Sequence, residues 1–151
     1  MKAGVDYIGV GCGVLILNEK GEMLLMKRSS KSKNEAGMWS KPGGTVDYGE
    51  MVEAAAIREV KEELGVDVEV KFLAYYDHLL PEEKQHWVTF EFIGKIVSGE
   101  PKNMEPEKCD EIAWFSLDNL PDNLAQTVRE RVEFYRKVVG VKNDSQGESN
   151  D

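Results

Sequence analysis

The sequence is poor in sulfur that could cross-link it: among 151 residues only Cys12 and Cys109 are cysteine. Two cysteines make no disulfide framework, so a reducing, cytoplasmic setting is expected. Histidine is as scarce, with His78 and His86 alone, and these show no ligand-like spacing. No apolar run is long enough to cross a bilayer, and the N-terminus lacks the charged start and long apolar core of a secretory leader. Positive charge is in deficit, with 19 Lys and Arg against 28 Asp and Glu for a net −9. That balance argues against binding a nucleic acid polymer through its backbone. It leaves room for a small phosphate ligand if a divalent metal bridges the two. There is no internal repeat and no sign of a second domain, so residues 1–141 are expected to form one domain. Residues 142–151, polar and rich in Ser, Asn and Asp, read as a disordered tail.

What is present reads as strands, glycine turns and helices. Tyr7 to Leu17 has the pattern of a buried strand, and Glu22 to Lys27 that of its hairpin partner across the turn Asn18–Gly21. Arg28 to Gly37 is a polar loop, and Pro42, Gly43 and Gly44 mark a sharp turn. A helix is predicted over Met51–Leu64, with Gly65 as its stop. Strands are predicted over Val66–Tyr76, Gln85–Val97 and Ile112–Leu117. A C-terminal amphipathic helix over Asn123–Val139 puts Leu124, Val128, Val132, Tyr135 and Val139 on one face.

The richest segment is GTVDYGEMVEAAAIREVKEELGV, from Gly44 to Val66. At about 100° per residue, Ala56, Ile57, Val60 and Leu64 share an arc that would pack on a sheet. Glu59, Glu62 and Glu63, spaced i, i+3, i+4, share the neighbouring arc. Like charges so spaced cost a helix only a few tenths of a kcal/mol per pair, so a solvated acidic face is one reading. The other follows from the setting: carboxylates beside the packing face lose water, and a cation among them relieves that cost. Oxygen donors without a His/Cys cluster select Mg²⁺ or Mn²⁺ over Zn²⁺. The adjacent Gly43 and Gly44 let backbone approach a metal or a phosphate closely.

These residues match a family signature, the Nudix box G-x5-E-x7-R-E-U-x-E-E-x-G-U, in which U is a bulky aliphatic. Gly44, Glu50, Arg58, Glu59, Val60, Glu62, Glu63, Gly65 and Val66 fill every fixed position. The chain therefore resembles Nudix hydrolases over nearly its whole length up to the tail. The resemblance implies an α/β fold, a mixed β-sheet sandwiched between helices in an α/β/α arrangement. It implies an enzyme that cleaves nucleoside diphosphates linked to a group X, with Mg²⁺ as cofactor and Mn²⁺ as a substitute. Carried over, Glu59, Glu62 and Glu63 are the catalytic metal ligands, with the carbonyl of Gly43 beside them and Glu62 as first choice for the base. Arg58 and Glu50 would support the cluster. The partner would be a small nucleotide; the family's frequent dimers suggest a homodimer, although no interface is legible here.

A narrower resemblance lies in EPKNMEPEKC, Glu100–Cys109, together with HWVTFEF before it and Trp114 after it. This looks like the eukaryotic cytosolic MutT-like branch, which converts ordinary and modified nucleoside triphosphates to monophosphates. There a glutamate of this region can complete the metal site, with Glu107 the first candidate and Glu105 and Glu111 alternates. Pro81, fifteen positions after Val66, points instead to ADP-ribose pyrophosphatases; ten residues in register weigh more than one proline. Substrate-binding candidates are Trp39, set beside the glycine turn and able to stack on a base, with Gly43, Gly44 and Lys27. Lys41 joins them as a departure, a charge where the related branch has an apolar residue.

Overall fold

The computed structural model describes residues 1–149, with side chains through residue 140. Strand β1 (Gly9–Ile16) lies in a mixed sheet of order β4-β1-β6-β5, with β4 at Gly43–Thr45, β5 at Asp67–Leu80 and β6 at Gln85–Ser98. β1 runs parallel to β6, and the other pairs are antiparallel. A second, antiparallel sheet has β2 (Glu22–Arg28) between β3 (Trp39–Ser40) and β7 (Cys109–Ser116). The mixed sheet that the resemblance implies is thus present, and a second, antiparallel sheet accompanies it. The β1–β2 hairpin pairs only at its base, through a bridge between Leu17, just past β1, and Met23, before its arms diverge into different sheets. The Pro42–Gly44 turn is likewise replaced: the chain leaves the second sheet at Ser40 and enters the first at Gly43, crossing at Lys41 and Pro42.

Helix α1 (Val52–Leu64) ends where Gly65 takes φ 72° and donates its N–H to the Lys61 carbonyl at 2.9 Å, a left-handed cap that favours glycine. Ala55, Ala56, Val60 and Leu64 are its buried face. Full burial of Val60 and Leu64 stabilises the helix against the sheet by about 1.5–3 kcal/mol each. The core they join includes Cys12, Val14, Leu24, Val66 and Phe92. Helix α2 (Gln126–Ser149) covers a second core of Leu15, Met23, Leu25, Trp39, Leu124, Val128 and Val132. Its backbone runs through part of the segment read as a tail. Residues 150 and 151 of that tail lie outside the described residues. No described helix is long and apolar enough to cross a membrane.

Candidate active site

The crossing at Lys41–Pro42 sets β4 against α1, and the box side chains meet there. β4 pairs with β1 so that Cys12 faces Gly44 and Gly13 faces Gly43. Close backbone approach requires Gly43, where a Cβ would strike the Cys12 carbonyl; at Gly44 a Cβ would meet the Glu59 carboxyl and displace it. Glu63 accepts the N–H of Gly43 at 3.0 Å. Glu59, Glu62, Glu63, Gly43 and Gly44 line one cavity of about 420 Å³, together with Lys27, Lys41, Glu105 and Lys108.

Arg58 organises the carboxylates. Its Nε lies 2.6 Å from Glu50 and its Nη1 3.0 Å from Glu59 and 3.2 Å from Glu62, while Nη2 donates to the Thr45 carbonyl at 3.1 Å. Glu50 is held below the usual carboxylate range by its bond to Arg58 and then by the Asp47 N–H. The guanidinium is held still more firmly protonated by Glu50. Arg58 stands one helical turn before Glu62 on the same face of α1, and its long side chain reaches both Glu62 and the adjacent Glu59.

Two carboxyls go the other way. Burial pushes Glu63 up to about 8, against the Gly43 N–H and with Glu59 and Glu105 adding repulsion. Burial also raises Glu59, opposed by Arg58. Carboxyls that lose water faster than they gain partners are a poor arrangement for stability and a suitable one for a hard cation. The available donors fit such an ion in kind. Cys109 also lines the cavity, and burial raises its thiol pKa, while the carboxylates supply the hard oxygen donors. Among the described residues no three acidic, His or Cys side chains close into a finished cage; Arg58 draws Glu59 and Glu62 to itself instead.

Three expectations shift. Glu107 is exposed and does not line this cavity; Glu105 does. Trp39 is 7% exposed and packs edge-on against Phe115 with ring centres 4.9 Å apart, so it is core and offers no face to a base. Lys41 lines the cavity as expected, but its Nζ is paired with the fully buried Glu91 at 3.1 Å. That partner was missed: a glutamate in HWVTFEF reads as an outward strand position, and nothing local ties it to residue 41.

A NUDIX domain profile matches residues 8–138. The ADP-ribose pyrophosphatase of Methanocaldococcus jannaschii is 36% identical over 107 residues, which cover 70% of this chain and 61% of that protein. The RNA pyrophosphohydrolase of Wolbachia pipientis is 30% identical, over 84% of each chain. The putative 8-oxo-dGTP diphosphatase of Bacillus subtilis is 33% identical, over 74% of this chain and 68% of that one. The crystal structure of a MutT NUDIX hydrolase from Burkholderia pseudomallei superposes with a TM-score of 0.79 at 40% identity, over 85% of this chain and 98% of that one.

Proposed function

Because the chain belongs to the Nudix hydrolase family, we propose that it hydrolyses a nucleoside diphosphate bonded to a further group, with Mg²⁺ as its metal and Mn²⁺ as a substitute. The first-choice substrate is a nucleoside triphosphate, ordinary or modified, giving a monophosphate and pyrophosphate. One observation carries this reading above the others: Glu59 and Glu63 are gathered and desolvated against the backbone of β4, in a cavity that also holds Lys27, Lys41 and Lys108. Glu59, Glu62, Glu63 and the Gly43 carbonyl would hold the metal, with Glu105 in the place first given to Glu107. Once bound, the metal would lower the pKa of a bound water and neutralise charge on the bridging and leaving oxygens.

The chain's own residues do the rest. Arg58, locked by Glu50, aims Glu59 and Glu62. Glu62, the most solvent-accessible of the box ligands, is the first choice to accept the proton of the attacking water. Lys27 and Lys41 meet phosphate oxygens, and Gly43 and Gly44 let the substrate approach the backbone. The substrate is a small nucleotide; with a net charge of −9 the RNA-acting relative weighs less. A cytoplasmic homodimer is the accompanying proposal, and light scattering would count its subunits.

A second reading, an ADP-ribose or sugar-nucleotide pyrophosphatase, is favoured by the archaeal relative and by Pro81. A substrate panel with phosphate and pyrophosphate detection in Mg²⁺ and Mn²⁺ separates the two. Rapid ADP-ribose cleavage with no turnover of any triphosphate would replace the first reading by the second.

A further inference from the structure

Glu91 sits in the middle of β6 with no exposed surface. Its neighbours Phe90 and Phe92 turn to the α1 core, while Ile93 turns to the α2 core. By strand alternation Glu91 points to the α2 side. There it meets Lys41 at 3.1 Å and Arg131, 5% exposed, at 3.5 Å. Arg131 in turn lies over the Tyr76 ring, 3.2 Å from its centre. Gly13, opposite Glu91 on β1, provides the slot, since a Cβ there would strike both the Glu91 carboxyl and the Lys41 stem.

This cluster is a poor device for stability. Both cations share one Glu91 oxygen, and Oε2 is buried without a hydrogen-bond partner. A buried ion pair of this kind returns little over apolar side chains of similar volume, and an orphaned buried oxygen adds a cost. The position of Lys41 supplies a reason for it. Among the described residues, Lys41 and Arg28 alone line both the box cavity and a second cavity of about 520 Å³. The second cavity carries Lys33, Arg131, Thr89 and Thr127, with Glu35, Glu83 and Glu91 itself also reaching it. Its one ring is that of His78, so it offers little to stack on a nucleobase.

We propose that Glu91 is a positioning residue that holds the Lys41 ammonium at the junction of the two cavities, where it selects substrates with a phosphate-bearing group in the second cavity. Glu91 acts through Lys41, which touches the substrate; one of the three ammonium protons is taken by Glu91, leaving donors for phosphate oxygens. This rests on the proposed hydrolysis of a nucleoside diphosphate derivative. The phosphate-bearing group is either the terminal phosphates of a nucleoside triphosphate or the sugar phosphate of a sugar nucleotide.

The test pairs steady-state kinetics with calorimetric titration of inorganic pyrophosphate, on the full chain with Mg²⁺. Lys41→Met is expected to raise KM and weaken pyrophosphate about tenfold. Glu91→Gln should raise KM several-fold, both with kcat within about threefold of the parent. Lys41→Arg should recover part of the loss. The double variant Lys41→Met/Glu91→Leu, which removes both charges together, should be no worse than Lys41→Met. Loss confined to triphosphates assigns the second cavity to terminal phosphates, and loss confined to ADP-ribose assigns it to a sugar phosphate. A folded Glu91→Gln with unchanged KM and pyrophosphate affinity overturns the proposal, as does a double variant whose losses simply add. If the parent hydrolyses no nucleotide yet Lys41→Met still weakens pyrophosphate, the enzymatic reading fails and the role of Lys41 stands. If the parent hydrolyses nucleotides and Lys41→Met matches it, this proposal fails alone.

Discussion

Glu63 and Glu91 are both carboxylates drawn away from water, and they meet opposite company. Glu63 is half-buried among Glu59 and Glu105, with a backbone N–H from Gly43 as its hydrogen-bond donor. Glu91 is fully buried between Lys41 and Arg131. The first arrangement gathers carboxyls that repel one another and are only partly offset by Arg58 and Lys108; the second encloses one negative charge with two positive ones. The difference teaches that burial alone does not define a site. A carboxyl pushed up to about 8 by lost water and like neighbours is poised for a cation from outside. A carboxyl enclosed by cations is poised to hold those cations still.

The contrast breaks most severely at Glu63. Glu63→Gln, and Glu59→Gln beside it, should lower metal-dependent hydrolysis by about a hundredfold or more while circular dichroism stays unchanged. A chelator should reduce the parent to the same level, and parental rates in both variants would dissolve the assigned site. At the other pole, Glu91→Ala strips two cations of their buried partner. Urea denaturation should show about 3–5 kcal/mol of destabilisation, whereas Lys41→Met/Glu91→Leu, which strands only Arg131 and fills the space of Glu91, should lose less. Equal stability of the two variants would remove the distinction drawn here.

The pH dependence of stability sharpens it further. Glu63 binds its proton more tightly folded than unfolded, so in the range from about pH 4.5 to 8 the native state carries more protons than the unfolded state. Stability should therefore fall across that range as pH rises in metal-free protein, and Mg²⁺ should restore it. Glu50 has the opposite sign: its contribution is present above about pH 4.5 and fades as pH falls through its lowered folded pKa. Melting temperatures at pH 5 and 8, with and without Mg²⁺, test this; Glu63→Gln should flatten the metal-free slope. The smallest effect belongs to Trp39. Trp39→Phe should cost about 1 kcal/mol of stability and leave KM for every substrate unchanged. A raised KM would return Trp39 to the substrate site.

The α1 carboxylates were legible because helix geometry relates residues three and four apart, whatever the rest of the chain does. The same local rule found the Gly65 cap and the Val128–Val132 face, whereas Leu124, expected on that face, precedes α2 and joins its core through a bridge to Trp39. The partner of Lys41 was not legible. Glu91 is fifty positions away, and only the crossing at Pro42 and the parallel pairing of β1 with β6 bring the two together. Glu105 and Glu107 have the same chemistry two residues apart, and the loop's path alone decides which enters the cavity. Trp39 illustrates the opposite error: its place beside the glycines was right, but side-chain direction depends on β3 pairing with β2 and on Leu124 closing over it.

By itself the sequence determined which carboxylates gather on α1, because a helix turns a spacing into a face and the Nudix box from Arg58 to Glu63 is written in such spacings. It also determined the absence of a disulfide framework and the excess of acid. Only the tertiary structure decided that the β1–β2 hairpin opens into two sheets and that the chain steps between them at Lys41 and Pro42. Only it decided that a buried glutamate from a distant strand stands behind that lysine. The reason is physical: contacts within a turn of helix are fixed by bond geometry, whereas contacts across a seam between sheets exist only once both cores have closed.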